Sequence, residues 1–227
     1  MSKPNSAARR RRRRRLVVAV TGASGAPYAV RFVELAVRAG RDVSLIVTPA
    51  GRIVLADEAN LAGTADAPDF STIWPKKILA HVAYAPAERL DAPPASGSFD
   101  AEAVVVIPCT MHTAAAIAHG LAANLVQRAA RVALKEGRPL VLVPRETPLA
   151  AVDLENLARL ASAGAAVVPA MPAFYHRPRS VADLVDFVVA KVLSRLGIEH
   201  DLRVAWPKGV DRRASGAYHG MYPLEDA

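Results

Sequence analysis

The amino-acid sequence predicts a Rossmann-like α/β fold, a three-layer sandwich built on a mostly parallel sheet. Three observations lead there. Short apolar runs recur, each cut off by Gly or Pro, and stretches of helical length with apolar residues on one face alternate with them. The chain has 227 residues and 52% hydrophobic composition, enough for one sizeable core but a squeeze for two. Alternation of this kind implies right-handed βαβ units and therefore parallel strands.

Leu16 to Val20 reads as the first strand, followed by the turn Thr21 to Gly25 and a helix from Pro27 to Ala39 that Gly40 closes. Val43 to Thr48 is the second strand, with Pro49 behind it and a helix over 53–61. The stretch 62–99 is rich in Pro, Ser, Gly and Asp and is read in part as loop. Val104 to Ile107, Leu140 to Val143 and Ala166 to Val168 are the next strands, stopped by Pro108, Pro144 and Pro169. Helices are expected over 113–119, 124–136 and 150–162, and a last one from Val181 to Leu196 behind the N-cap Ser180. The expected division is a disordered Arg-rich tail over 1–15, one domain over 16–200, and a tail over 201–227 anchored in part by Trp206.

The formal charge of +8 suggests nucleic acid until it is located. Lys3 and Arg9 to Arg15 supply eight of the 29 basic side chains, and residues 1–15 contain no acid. The other 212 residues hold 21 basic and 21 acidic groups, so the body is neutral. A run of seven arginines repels itself, and it reads as a solvated tail capable of non-specific polyanion contact. The single cysteine, Cys109, rules out an intrachain disulfide, and no apolar run nears the roughly 18 residues of a membrane span. A cytoplasmic location follows as an expectation, because a five-residue apolar strand is too short for a secretory signal.

In a parallel sheet five segments emerge at one edge: Gly22 to Gly25, Thr48, Cys109 to Thr113, Arg145 to Thr147, and Met171 to Tyr175. Gly22-Ala23-Ser24-Gly25 is either an anion cradle at a helix N-terminus or a plain tight turn. Thr110 to Thr113, with Met111 and His112 between them, suits a phosphate or a flavin edge, or else Thr113 caps a helix. Arg128 and Lys135 stand seven residues apart, on one helix face with Arg131 beside them, and the strand that follows ends at a charge pair, Arg145 and Glu146. An anion site is the natural reading, with solvated surface as the alternative for Arg128, Lys135 and Lys191. Cys109 reads as a small buried residue, since no base is spaced to activate it. The six histidines lack ligand spacing, so no metal is expected.

TGASG from Thr21, PPASGS from Pro93, PCTMHT from Pro108, RAARVALKE from Arg128, RPLVLVPRETPL from Arg138 and PAFYHRP from Pro172 together resemble the UbiX-type flavin prenyltransferases. The likeness spans Leu16 to about Trp206. It implies the flavoprotein variant of the fold, a homododecamer with sites between subunits, and reduced FMN as substrate. The implied reaction joins a dimethylallyl group from dimethylallyl phosphate to flavin N5 and C6, for use by UbiD-type decarboxylases, as in ubiquinone biosynthesis. By the same resemblance Gly22, Ala23, Ser24, Thr48, Thr110, Met111, His112, Thr113 and Arg145 contact FMN. Arg128, Lys135, Tyr175, Lys191 and Trp206 hold the prenyl donor, and Ser24, Glu58, Lys135 and Glu146 serve the chemistry. Lys191 stands where family members often carry arginine, which replaces a bidentate fork by a point charge. Two other readings compete: an FMN-dependent cysteine decarboxylase of the related fold, and a non-catalytic flavin carrier.

Overall fold

The computed structural model describes residues 13–64 and 66–202. The chain alternates β1 (Arg14–Val20), α1 (Ala26–Arg38), β2 (Arg41–Val47) and α2 (Pro49–Ala59). A two-stranded hairpin, β3 (Ala62–Gly63) with β4 (Pro68–Asp69), and the short α3 (Lys76–Leu79) lead to β5 (Val82–Pro86). Then come β6 (Ala103–Cys109), α4 (Met111–Ala118), α5 (Leu125–Lys135), β7 (Leu140–Pro144), α6 (Ala151–Ser162), β8 (Ala166–Val167) and α7 (Val181–Arg195).

The main sheet has six strands in the order β5-β2-β1-β6-β7-β8, and every pairing in it is parallel. Burial explains the composition of its centre: Leu16 to Val20 and Val104 to Ile107 are almost wholly inaccessible, as strands covered on both faces must be. One core lies under α1 and α7, around Phe32, Leu45 and Val189, and a second under α4 and α5, around Ile46, Leu125 and Leu142. The strand order reverses direction between β1 and β6, so the turns that follow these two strands flank the crevice where open α/β sheets bind ligands.

The structure differs from the sequence reading at β5, at the end of β6 and at the start of β1. β5 lies inside the stretch 62–99 and was not anticipated; it is a half-buried edge strand rich in alanine, so it lacks the apolar run that marks the central strands. β6 does not stop at Pro108 but continues to Cys109, with an irregular register against β7 between Val106 and Cys109 that accommodates the missing N–H.

The third difference concerns the arginine run, which the sequence reading assigned to a tail ending at residue 15. Arg14 and Arg15 belong to β1, in register with Arg41 and Asp42 of β2. Arg13 donates to the carbonyls of Val37 (2.6 Å) and Arg41 (3.2 Å) and pairs with Asp42 (3.2 Å). Arg14 pairs with Glu102 at 3.0 Å, and the Arg15 guanidinium lies 5.3 Å from the Phe99 ring centroid. These side chains tie the first strand to the C-terminal end of α1 and the start of β6. Trp206 and the rest of 203–227 lie outside the described residues, whereas Leu202 packs against the first core.

A chain truncated through Arg15 should therefore be less stable than one truncated through Arg12, by about 1–3 kcal/mol for the lost pairing, capping and ion pairs. Parallel thermal and urea unfolding of the two proteins checks this; coincident transitions would show that Arg13 to Arg15 carry no stability.

Candidate active site

Backbone hydrogen bonds stitch the carboxyl ends of the strands together. Thr48 N donates to Val20 O (3.0 Å), Thr21 N to Pro108 O (3.3 Å), Arg145 N to Cys109 O (3.3 Å) and Ala170 N to Pro144 O (3.0 Å). The segments expected at one edge are thus held there in sheet order. The buried Thr21 hydroxyl reinforces the central join, donating to Pro108 O (2.9 Å) and accepting from Thr110 N (2.9 Å). Sequence reading placed Thr21 only as the start of a turn. Its structural role depends on β6 lying beside β1, which no local pattern reveals.

The turn after β1 is glycine-dependent at two positions. A Cβ on Gly22 would stand 2.4 Å from the Ala50 Cβ, and Gly25 has a φ of 129°, where an L side chain is strained. The turn leads into the N-terminus of α1, and the anion found there is the protein's own. Glu58, reaching across from α2, accepts from Gly25 N (2.7 Å) and Ala26 N (2.8 Å). Those two amides are therefore taken by a carboxylate of the chain itself, which neutralises the helix terminus. Arg145 joins the same corner, its Nε donating to Ser24 O at 3.1 Å. Partial burial pushes the Glu58 carboxyl up, but bonds from the Ser24 hydroxyl and the Gly25 and Ala26 amides, with the Arg145 charge, outweigh it and hold the group below its ordinary 4.5.

Thr110 caps α4, accepting from Thr113 N at 3.1 Å and donating to Thr113 Oγ1 at 3.0 Å, so the cap is Thr110 and not Thr113. Thr48 caps α2 in the same way, accepting from Gly51 N at 3.0 Å. The first-turn amides of Met111 and His112 precede the first intrahelical bond, at the end of α4 that adjoins the carboxyl end of β6. Met111 is buried, so only its backbone can serve there, whereas His112 is exposed. Cys109 is fully buried, and burial pushes its thiol up to about 12, which fits the reading of a small core residue.

The charge pair expected at the end of β7 does not form. Arg145 turns to Ser24, and the Glu146 carboxylate accepts from Thr147 N at 3.1 Å. Nor does one chain gather the basic stripe into this crevice. α5 runs antiparallel to the strands it joins, carrying Lys135 to the amino edge of the sheet, where it pairs with Glu136 at 2.9 Å beside Gly97. Arg128 donates to Ala95 O (3.1 Å) and Arg131 to Gly120 O (3.1 Å). Tyr175 sits edge-on to Phe187 of α7 (5.8 Å), and the Lys191 ammonium lies 5.2 Å from the same ring. Phe187 was absent from the expected site, although its four-residue spacing from Lys191 was a signal for it. Trp206 lies outside the described residues. Among the described residues no group of three or more His, Cys, Asp or Glu could hold a metal.

The Flavoprotein family model matches residues 4–193. The flavin prenyltransferase UbiX of Pseudomonas aeruginosa is 44% identical over 192 residues, covering 83% of this chain and 92% of that protein. The chain belongs to the UbiX flavin prenyltransferase family. The UbiX of Methanocaldococcus jannaschii is 40% identical, covering 84% of this chain and 97% of its own. Among solved structures, a dodecameric FMN-dependent UbiX-like decarboxylase from Escherichia coli O157:H7 matches with a TM-score of 0.75 and 38% identity, over 85% of this chain and 99% of that one. AnUbiX (PadA1) in complex with FMN and dimethylallyl pyrophosphate matches with 0.74 and 35%, over 83% and 94%. A PPC decarboxylase, 19% identical with a TM-score of 0.53, shares the fold alone. The small turn at Gly22, the amides of α4, the hydroxyls of Thr48 and Thr110, and Arg145 lie along the carboxyl edge of the sheet.

Because folding lowers the Glu58 pKa, its bonds stabilise the fold fully above about pH 4.5 and lose that contribution as pH falls through the lowered value. Glu58→Gln should unfold more easily than the parent at pH 7, and the gap should narrow on acidification. Urea titrations at stepped pH measure it; a gap independent of pH would refute the assignment.

Proposed function

We propose that this protein is a flavin prenyltransferase that joins the dimethylallyl group of dimethylallyl phosphate to N5 and C6 of reduced FMN. One observation carries this: at the crevice where the strand order reverses, Arg145 and Glu58 are locked onto the Ser24 turn, placing a fixed cation and a fixed carboxylate side by side. AnUbiX, whose solved complex holds FMN and dimethylallyl pyrophosphate, supports the pair of substrates.

Reduced FMN supplies the nucleophile; the chain's residues handle charge and protons. Heterolysis of the allylic C–O bond leaves an electron pair on the departing phosphate and a delocalised cation on the prenyl group. Cations therefore belong at the phosphate end, and we assign Arg145, Lys135 and Lys191 there, with Tyr175, Arg128 and Trp206 completing the donor site. Glu146, next to Arg145 at the end of β7, can give the leaving phosphate a proton. Ser24 and Glu58 hold the proton traffic on the flavin side. Three cations supply the charge that a divalent metal would otherwise bring, so the reaction is metal-independent.

Lys135 reaches Arg145 only if a second copy presents its amino edge to this crevice. The Escherichia coli relative is dodecameric, and we assign the same assembly here. The product is suited to a UbiD-type decarboxylase in the cytoplasm. A cysteine decarboxylase or a passive carrier is not favoured: the likeness to a cysteine decarboxylase is one of fold only, and a carrier has no use for the locked Arg145 and Glu58 corner.

Anaerobic incubation with reduced FMN and dimethylallyl phosphate, without divalent metal, should yield flavin heavier by one prenyl unit. Recovery of bound but unmodified FMN would sink the reading. Lys135→Ala and Glu146→Gln should each bind FMN normally yet slow product formation by about 10²-fold, the scale of losing one charge-stabilising or proton-transfer group. Parental turnover at saturating donor in either variant would remove that residue from the mechanism.

A further inference from the structure

The loop after β8 lays two side chains on one phenyl ring. His176 is stacked on Phe187, with 5.3 Å between centroids and 11° between planes, and Tyr175 meets Phe187 edge-on at 5.8 Å and 82°. Tyr175 and His176 are also in edge contact, 5.8 Å apart. Lys191, one turn beyond Phe187 on α7, holds its ammonium 5.2 Å from the ring centroid. The two residues assigned to the donor phosphate in this region, Tyr175 and Lys191, thus contact the same ring.

Phe187 is itself a member of the first core, and His176 covers its loop-side face. Among the described residues neither of its ring nitrogens has a hydrogen-bond partner, and both are screened from solvent. The nearby acid, Asp183, accepts from Arg179 N (2.7 Å) and Ser180 N (3.0 Å) at the start of α7, and it interacts with His176 through charge rather than a hydrogen bond. What the imidazole supplies here is a flat face against Phe187.

We propose that His176 is a positioning residue for the prenyl-donor end of the site, acting through Phe187 on Lys191 and Tyr175. With the imidazole in place Phe187 cannot swing toward the loop, the Lys191 ammonium keeps its aromatic platform, and the Tyr175 ring keeps its edge contact. This matters more for a lysine than for an arginine, because an ammonium on a flexible stem has no planar fork to orient it. The ligand named here rests on the prenyltransferase reading, but the positioning effect can be measured without turnover.

The test compares His176→Ala with His176→Phe, which keeps a ring and removes both nitrogens. Calorimetric titration of dimethylallyl phosphate into protein loaded with oxidised FMN reads donor binding without consuming it. His176→Ala should weaken donor binding about three- to tenfold, the scale of a lost cation–π contact, with FMN affinity unchanged. In turnover the same variant should show the increase in KM with kcat little altered. His176→Phe should restore parental donor binding. Parental donor affinity in His176→Ala, or equal weakening in both variants, overturns the proposal. If His176→Ala does not fold, Phe187→Leu carries the test with the same expected loss. A parent that binds donor but makes no prenylated flavin would defeat the proposed reaction and leave this inference standing.

Discussion

Parallel pairing of every strand in the main sheet is the constraint on which the rest of this molecule depends. Because the strands run one way, each strand-to-helix turn is delivered to the same edge, and the bonds from Thr48 to Val20, Thr21 to Pro108, Arg145 to Cys109 and Ala170 to Pro144 fasten those turns in order. The hydroxyl of Thr21 closes the centre, where β1 and β6 diverge into helices on opposite faces. A crevice is the geometric result, since helices leaving to opposite sides cannot fill the space between their own first turns.

Glu58 then gives the crevice its polarity. A helix N-terminus flanked by glycines is ordinarily an invitation to a ligand anion, yet here the two foremost amides of α1 are bonded to a carboxylate from α2. The arrangement brings a negative group to within reach of Arg145 and the Ser24 hydroxyl, and the same bonds keep Glu58 ionised by lowering its pKa.

The basic residues of α5 follow a different logic. A crossover helix must return to the amino edge before the next strand can begin, and Lys135 sits at its end, two turns past Arg128. No local rearrangement can bring Lys135 and Arg145 together in one chain, because they are separated by the length of β7. The proposed role of Lys135 beside Arg145 therefore calls for association of copies. Helix α7 contributes within its own chain, through Phe187, which Lys191, Tyr175 and His176 all contact.

Periodicity and punctuation in the sequence by themselves determined the strands that form the sheet's centre, most helices to within a few residues, and the edge at which Gly22, Thr48, Thr110 and Arg145 meet. Those features are local or follow from the handedness of βαβ units. The motifs in order also identified the family, since side-chain types at fixed spacing survive without knowledge of contacts. Tertiary structure alone decided which groups touch. It added β5, whose half-buried residues carry no periodic signal, and it drew Arg13 to Arg15 into β1, because arginines satisfied by carbonyls and by Asp42 and Glu102 look in sequence like a solvated run. It turned Arg145 away from Glu146 toward Ser24, put Glu58 on the α1 amides, and separated Lys135 from Arg145 across the sheet. Each of these depends on distances between segments far apart in the chain, and such distances are set by packing rather than by any residue's own preference.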